Sequence, residues 1–196
     1  MLIVLQISYF LTNYNVFKKD KYEIISNFKL SLSQIFFMKI SIRKAKKEDM
    51  AAVLKLIKEL AVFGKEPDAV EISVADLQRD GFKEQPEFEC FVAEVAEKIQ
   101  GIALVYKRYS TWKGPVLHLE DLIVSQNMRG HNIGTLLLNE VVRYGNQLGV
   151  KRISWEVLDW NEPAIAFYEK KGANVMRDWD VVHLNEKGIK AYLSKL

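Results

Sequence analysis

Residues 119–138 read LEDLIVSQNMRGHNIGTLLL, and this stretch decides the fold. Its opening aliphatic run suits a strand. Ile133, Leu136, Leu137, Val141 and Tyr144 then recur at threes and fours, the spacing of an amphipathic helix. Between them lies a polar loop holding Arg129, Gly130, Asn132 and Gly134. A strand, such a loop and a helix in succession present backbone N–H groups at a helix N-terminus, where the dipole favours an anion. The bland alternative is a tight turn; these residues favour an anion cradle, with a pyrophosphate as its natural guest. A Walker A loop is excluded because no Lys-Ser/Thr pair follows Gly134, and the G-x-G-x-x-G dinucleotide spacing is absent.

Outward from that stretch the pattern stays mixed. Residues 39–43 alternate as a short strand. From 48 to 63, Met50, Val53, Leu54, Ile57, Leu60 and Ala61 mark an amphipathic helix whose Met50, Val53 and Ile57 face is core. Gly64 and Pro67 end it, and Ser73 can cap a second helix through Phe82. FECFVAEVAE and GIALVYKRY read as a hairpin, and PVLHLEDLIV as the strand that enters the loop. After the loop helix come RISWEVL as a strand, residues 161–171 as a helix, and VVHLN as a last strand before a short basic tail. The order predicts one α/β (α+β) domain over 38–196, a mixed sheet flanked by helices.

Composition narrows the function classes. The chain has 196 residues, 49% hydrophobic and 27% charged, which is room for one well-buried domain and no sign of disorder. Its one cysteine, Cys90, reads as a small buried hydrophobe; it cannot form an intrachain disulfide and fits a reducing, cytoplasmic setting. His118, His131 and His183 lie far apart, so no metal-ligand spacing exists and no metal is expected; His118 and His131 read as structural or solvated. The net charge is +3, of which +2 comes from Lys18, Lys19, Lys21 and Lys29 against Asp20 and Glu23. Without a basic stripe in the remainder, nucleic acid is not an expected partner.

Residues 1–37 differ from the rest: no Gly, Pro, Ala or Arg, and no sustained helical period. The apolar run from Leu2 to Leu11 is broken by Gln6 and Ser8, lacks a signal-peptide layout and is too short to span a bilayer as a helix, so no membrane is expected. Met38 opens MKISIRKAKKEDM, which reads as a natural domain start. The expectation is that 1–37 is an upstream extension of the gene model or a poorly ordered arm; the competing reading is a membrane-surface or partner-binding segment.

At this point a resemblance is plain. The loop is similar to the R-x-x-G-x-G/A acyl-CoA loop of the GNAT superfamily of N-acetyltransferases, and the order of elements agrees from Ile40 to Tyr192. LIKELAVF, DGF, CFVAEV, YSTWKG, LEDLIV and VLDWNEPAIAFYEKKGA resemble the diamine acetyltransferase branch, with YSTWKG and VLDWN leaning toward its thialysine N-epsilon-acetyltransferase members. One departure is Asn132 where the motif has its second glycine. Asn is the non-glycine residue best suited to positive φ, so the loop is expected to keep its shape.

The resemblance implies acetyl-CoA as cosubstrate, a sheet splayed to admit it, and transfer of acetyl to a primary amine. Glu120 matches the base, acting through water, and Tyr168 the general acid that meets the departing sulfur. Acetyl-CoA would be held by Leu122, Ile123 and Val124 along the pantetheine arm, by Arg129, Gly130, His131, Asn132, Ile133, Gly134 and Thr135 around the pyrophosphate, and by Asn161, Ala164, Phe167 and Tyr168. Asp121 is expected to anchor the substrate amine, with Trp112, Ser110 and Phe63 as further substrate contacts; Trp112 is alternatively core packing. Glu120 and Asp121 are neighbours, so in a regular strand they face opposite sides and only a bulge lets both line one cleft.

In the polyamine-acetylating relatives, acidic residues fall at the positions of Ser110 and Gly64. Both carboxylates are missing here, while Glu66 and Asp68 stand nearby. A short diamine or a lysine analogue such as thialysine is therefore favoured over spermine. The alternatives are a protein lysine or N-terminal acceptor, and a non-catalytic acyl-CoA sensor, which would need neither Tyr168 nor Glu120. A homodimer is expected from the resemblance alone.

Overall fold

The computed structural model describes residues 39–196, and the expectation for residues 1–37 lies outside them. The chain forms two compact units, one ending at Trp155 and the other spanning Glu156–Leu196.

The first unit is a five-stranded sheet in the order β1-β2-β3-β4-β5. Strands β1 (Ile40–Lys44), β2 (Glu89–Val95), β3 (Lys98–Ser110) and β4 (Gly114–Val124) pair antiparallel, and β5 (Ile153–Ser154) pairs parallel with β4. The β2–β3 hairpin turns on Ala96 and Glu97, both at positive φ, as the right-handed twist of a two-residue hairpin demands. Helix α1 (Met50–Phe63) follows a 3-10 turn at Lys47–Asp49, so it starts slightly later than its periodicity suggests. Helix α2 (Val74–Gly81) begins at the expected cap: the Ser73 hydroxyl accepts from Asp76 N–H at 3.2 Å.

Apolar side chains cover both faces of the sheet. On one, Met50, Val53, Leu54 and Leu56 of α1 and Leu77 of α2 pack with Cys90, Val92, Ile102 and Ile123. On the other lies α3 (Ile133–Gln147), where Tyr144 meets Phe91 edge to face at 5.4 Å. Gly101 makes the close approach of α3 possible. A Cβ there would stand 3.0 Å from the Ile123 carbonyl oxygen and 3.1 Å from Leu137 Cδ1. Gly101→Ala is expected to cost about 1–3 kcal/mol by overpacking; an unchanged midpoint in urea unfolding would show that α3 can shift freely.

Two sequence expectations fail at the C-terminal side. RISWEVL keeps only Ile153 and Ser154 as strand. VVHLN, residues 181–185, forms no strand, and the tail after it is helix α5 (Glu186–Leu193), capped by the Asn185 side chain accepting from Gly188 N–H at 2.9 Å. A β-branched run becomes a strand only where a ladder receives it. The second unit also holds α4 (Glu162–Glu169), shorter than the expected 161–171 because Asn161 is its N-cap and Lys170 its C-cap.

Candidate active site

The register of β4 against β3 slips once. Leu119 pairs with Val105 and Asp121 with Leu104, which leaves Glu120 with no partner across the ladder. This is a β-bulge, and it removes the alternation that would have sent Glu120 and Asp121 to opposite faces. Asp121 joins Leu104 and Cys90 in one row across three strands. Glu120, about half exposed at 53%, places its Oε2 3.5 Å from His118 Nε2. His118, buried at 6%, lies against Tyr106 with ring centroids 5.0 Å apart and planes tilted by 39°. The sequence reading takes His118 as structural or solvated; the signal for its place beside Glu120 is its spacing of two from that residue on a strand.

Burial pushes the Asp121 carboxyl up to about 6, and the neighbouring negative Glu120 adds to the rise. The sign follows from linkage. Between its unfolded value, 3.8, and its folded value, about 6, the folded chain keeps a proton that the unfolded chain releases. Stability from this group therefore falls as pH rises through that window and stays low above it. Asp121→Asn is expected to raise stability by about 1–3 kcal/mol at pH 8 and by little at pH 4. Thermal melts at the two pH values decide; an equal change at both would refute the burial argument.

Beyond His118, β5 no longer pairs with β4, because only Leu117↔Ile153 and His118↔Ser154 are matched. The edge of β4 from Leu119 to Val124 is therefore open on the β5 side, with Ile123 buried and Leu122 and Val124 half-buried. The loop that follows is held from α1. Glu59 Oε1 accepts from Gln126 N–H at 2.8 Å, and the Arg129 guanidinium lies 5.3 Å over the Phe63 ring while its Nε donates to the Val124 carbonyl at 3.2 Å. At the start of the loop, the Ser125 hydroxyl donates to Gln100 Oε1 at 2.6 Å.

Gly130 has φ +82 and Asn132 φ +65, so Asn132 takes the left-handed conformation expected of it. His131 Nδ1 donates to the Met128 and Arg129 carbonyls at 3.3 and 3.1 Å, folding the ring back onto the loop. Asn132 caps α3 without a side-chain hydrogen bond, and no acidic residue stands in the first turn. The amides of Ile133, Gly134 and Thr135 precede the first carbonyl that a helix can offer them. A Cβ at Gly130 would meet nothing within 4 Å. Amide donors at the positive end of a fifteen-residue helix, beside an exposed arginine, make a donor set that fits a diphosphate.

Trp112 and Tyr109 stand 79% and 74% exposed at the β3–β4 hairpin tip, where Ser110 Oγ accepts from Trp112 N–H at 3.3 Å. Core packing is therefore not the role of Trp112. In the second unit, Asn161 Oδ1 accepts from Ala164 N–H at 3.4 Å and fixes the start of α4. Ile165 and Tyr168 are its buried residues, as their spacing suggests, and Phe167 meets Tyr168 edge to face at 5.2 Å. Burial pushes the Tyr168 phenol up to about 12.

An open strand edge thus runs into an amide-lined loop, with a bulged carboxylate just upstream, and the loop's donor set fits a phosphate-bearing carrier. Residues 52–173 match the Acetyltransferase (GNAT) family, and the chain belongs to it: it is an acetyl-CoA-dependent N-acetyltransferase. It is 36% identical over 152 residues to thialysine N-epsilon-acetyltransferase of Bos taurus, covering 74% of this chain and 89% of that one. It is 37% identical over 139 residues to the spermidine/spermine N(1)-acetyltransferase-like protein 1 of Homo sapiens, covering 67% of this chain and 20% of that one. In fold it is similar to the aminoglycoside N-acetyltransferase AAC(6')-Iy in complex with CoA, with a TM-score of 0.63 at 17% identity over 74% of this chain and 95% of that one. Among the described residues no helix is long and apolar enough to cross a membrane, and no group of three or more His, Cys, Asp or Glu could hold a metal ion.

Proposed function

We propose that this enzyme acetylates the primary amine of a small molecule, a short diamine or a lysine analogue such as thialysine, by direct transfer. The observation that carries this reading is the bulge at Glu120, which frees two adjacent carboxylates from strand alternation just before the loop. The similarity to thialysine N-epsilon-acetyltransferase across most of that protein's length supports the substrate class.

When bound, acetyl-CoA supplies an acyl group activated as a thioester. The amides of residues 130–135 and the Arg129 guanidinium bind its diphosphate, with His131 holding the loop in shape. The open β4 edge at Leu122, Ile123 and Val124 orients the pantetheine arm, and Asn161, Ala164 and Phe167 bind further along the carrier. An amine is protonated at pH 7, and removing that proton costs roughly 4–5 kcal/mol. Glu120 takes it through a water. Asp121 anchors the amine: a neighbouring cation drives its raised carboxyl to ionise, so amine binding near pH 5.5 releases a proton. Tyr168 gives its proton to the departing sulfur. Phe63, Ser110 and Trp112 bound the acceptor.

Gly64 ends α1 and Ser110 lies at the hairpin tip, so neither position offers a carboxylate to a long polycation. Short amines, or amino acids with their own carboxylate, lose least from this. A cytoplasmic homodimer completes the proposal, the location on the lone buried thiol of Cys90 and the assembly on the family resemblance.

Thiol release from acetyl-CoA, followed with putrescine, spermidine, spermine, lysine, thialysine and a histone-tail peptide, tests the reading. Thialysine or putrescine is expected to exceed spermine in kcat/KM. Preference for spermine would overturn the argument from the missing carboxylates, and preference for the peptide would move the acceptor to proteins.

A further inference from the structure

We propose that His118 is a positioning residue that holds the Glu120 carboxylate in place for proton acceptance. The proposal rests on reading Glu120 as the base.

His118 interrupts an otherwise apolar run. Val116, Leu117 and Leu119 beside it on β4 are exposed by 1% or less, and His118 itself by 6%. Among the described residues only His118 and Ser125 are polar and buried to this degree. Burying an imidazole in such company costs free energy unless its ring nitrogens are used. Ser125 is used in the anchor to Gln100; His118 points its Nε2 to Glu120 Oε2 at 3.5 Å. That distance lies just beyond hydrogen-bond length, and such contacts tighten in the substrate complex.

The imidazole is placed by the sheet. The register sets Tyr106 of β3 on one side of it and Ser154 of β5 on the other, a polar row across three strands. The Tyr106 ring packs against the imidazole, its centroid 5.0 Å away and its plane tilted by 39°. Ser154 Oγ is buried with no hydrogen-bond partner among the described residues, which marks the row as polar on its far side too. Glu120 is the opposite case. It is the extra residue of a bulge, about half exposed, with no ladder partner to define it. A glutamate so placed has rotamer freedom to lose on becoming ordered, and a buried imidazole two residues away, its Nε2 facing the carboxylate, selects one arrangement.

Kinetics of four variants decide between positioning and mere packing. His118→Phe keeps the ring volume without the donor, and His118→Asn carries an amide too short to reach Glu120. Both are expected to lower kcat about ten- to a hundredfold while KM for acetyl-CoA stays within about twofold. His118→Gln, whose amide nitrogen reaches the position of Nε2, is expected to recover most of that loss. In a Glu120→Gln background the same His118 substitutions are expected to cost nothing further. A His118→Phe enzyme with full kcat, or one whose loss persists undiminished beside Glu120→Gln, overturns the proposal while the base assignment stands. A Glu120→Gln enzyme with full kcat removes the base assignment, and this proposal with it. Should His118→Phe not fold, the Asn and Gln variants decide alone: equal activity in the two refutes positioning.

Discussion

Tyr168→Phe is expected to lower kcat by roughly a hundred- to a thousandfold, with KM for acetyl-CoA within about threefold of the parent. The substitution removes one hydroxyl from a buried ring and leaves its apolar contacts, so the melting temperature is expected to stay close to that of the parent. Chemistry alone is then affected, by about 2.7–4 kcal/mol of transition-state stabilisation. The direction of the phenol's shift fits the role. Burial pushes Tyr168 up to about 12, so it carries its proton throughout the working range and contributes no pH dependence near neutrality. The check is steady-state kinetics beside a thermal melt; kcat within threefold of the parent would remove Tyr168 from the mechanism.

Glu120→Gln is expected to lower kcat at pH 7 by about a hundredfold or more, because the amide keeps the shape of the side chain but accepts no proton. This loss has a diagnostic pH dependence. The fraction of free amine grows about tenfold per pH unit until the amine's own pKa near 10. The variant, which uses only amine already free, is expected to regain activity with that slope, while the parent levels off earlier. Rate–pH profiles from 6 to 10 separate this from a folding defect, whose cost would not shrink with pH. A variant that matches the parent at pH 7 would move the base elsewhere.

These expectations draw on different depths of the sequence. The strand–loop–helix unit at 119–138 was legible because each part is governed by local rules: β-rich run, left-handed-tolerant Gly130 and Asn132, and amphipathic period. Asn132 at φ +65 and Ser73 as a helix cap are outcomes of that local chemistry. The same holds for α4, where Ile165 and Tyr168 fall on the buried face.

The bulge was not legible. Glu120 and Asp121 are ordinary neighbours until β4 meets β3, and the slip between Val105 and Leu104 is a property of the pairing. The burial that raises the Asp121 carboxyl was not legible either, since it depends on what packs around β4. Nor was the shortness of β5 legible, since a strand ends where its partner stops receiving it, nor the helix after VVHLN, whose two valines speak for a strand that finds no ladder. By itself the sequence determined the order of elements as far as α4, the loop at the head of α3 and the family. Tertiary structure alone decided where β4 slips against β3 and how deeply Asp121 and His118 are buried, because strand register is set by contacts between residues far apart in the chain.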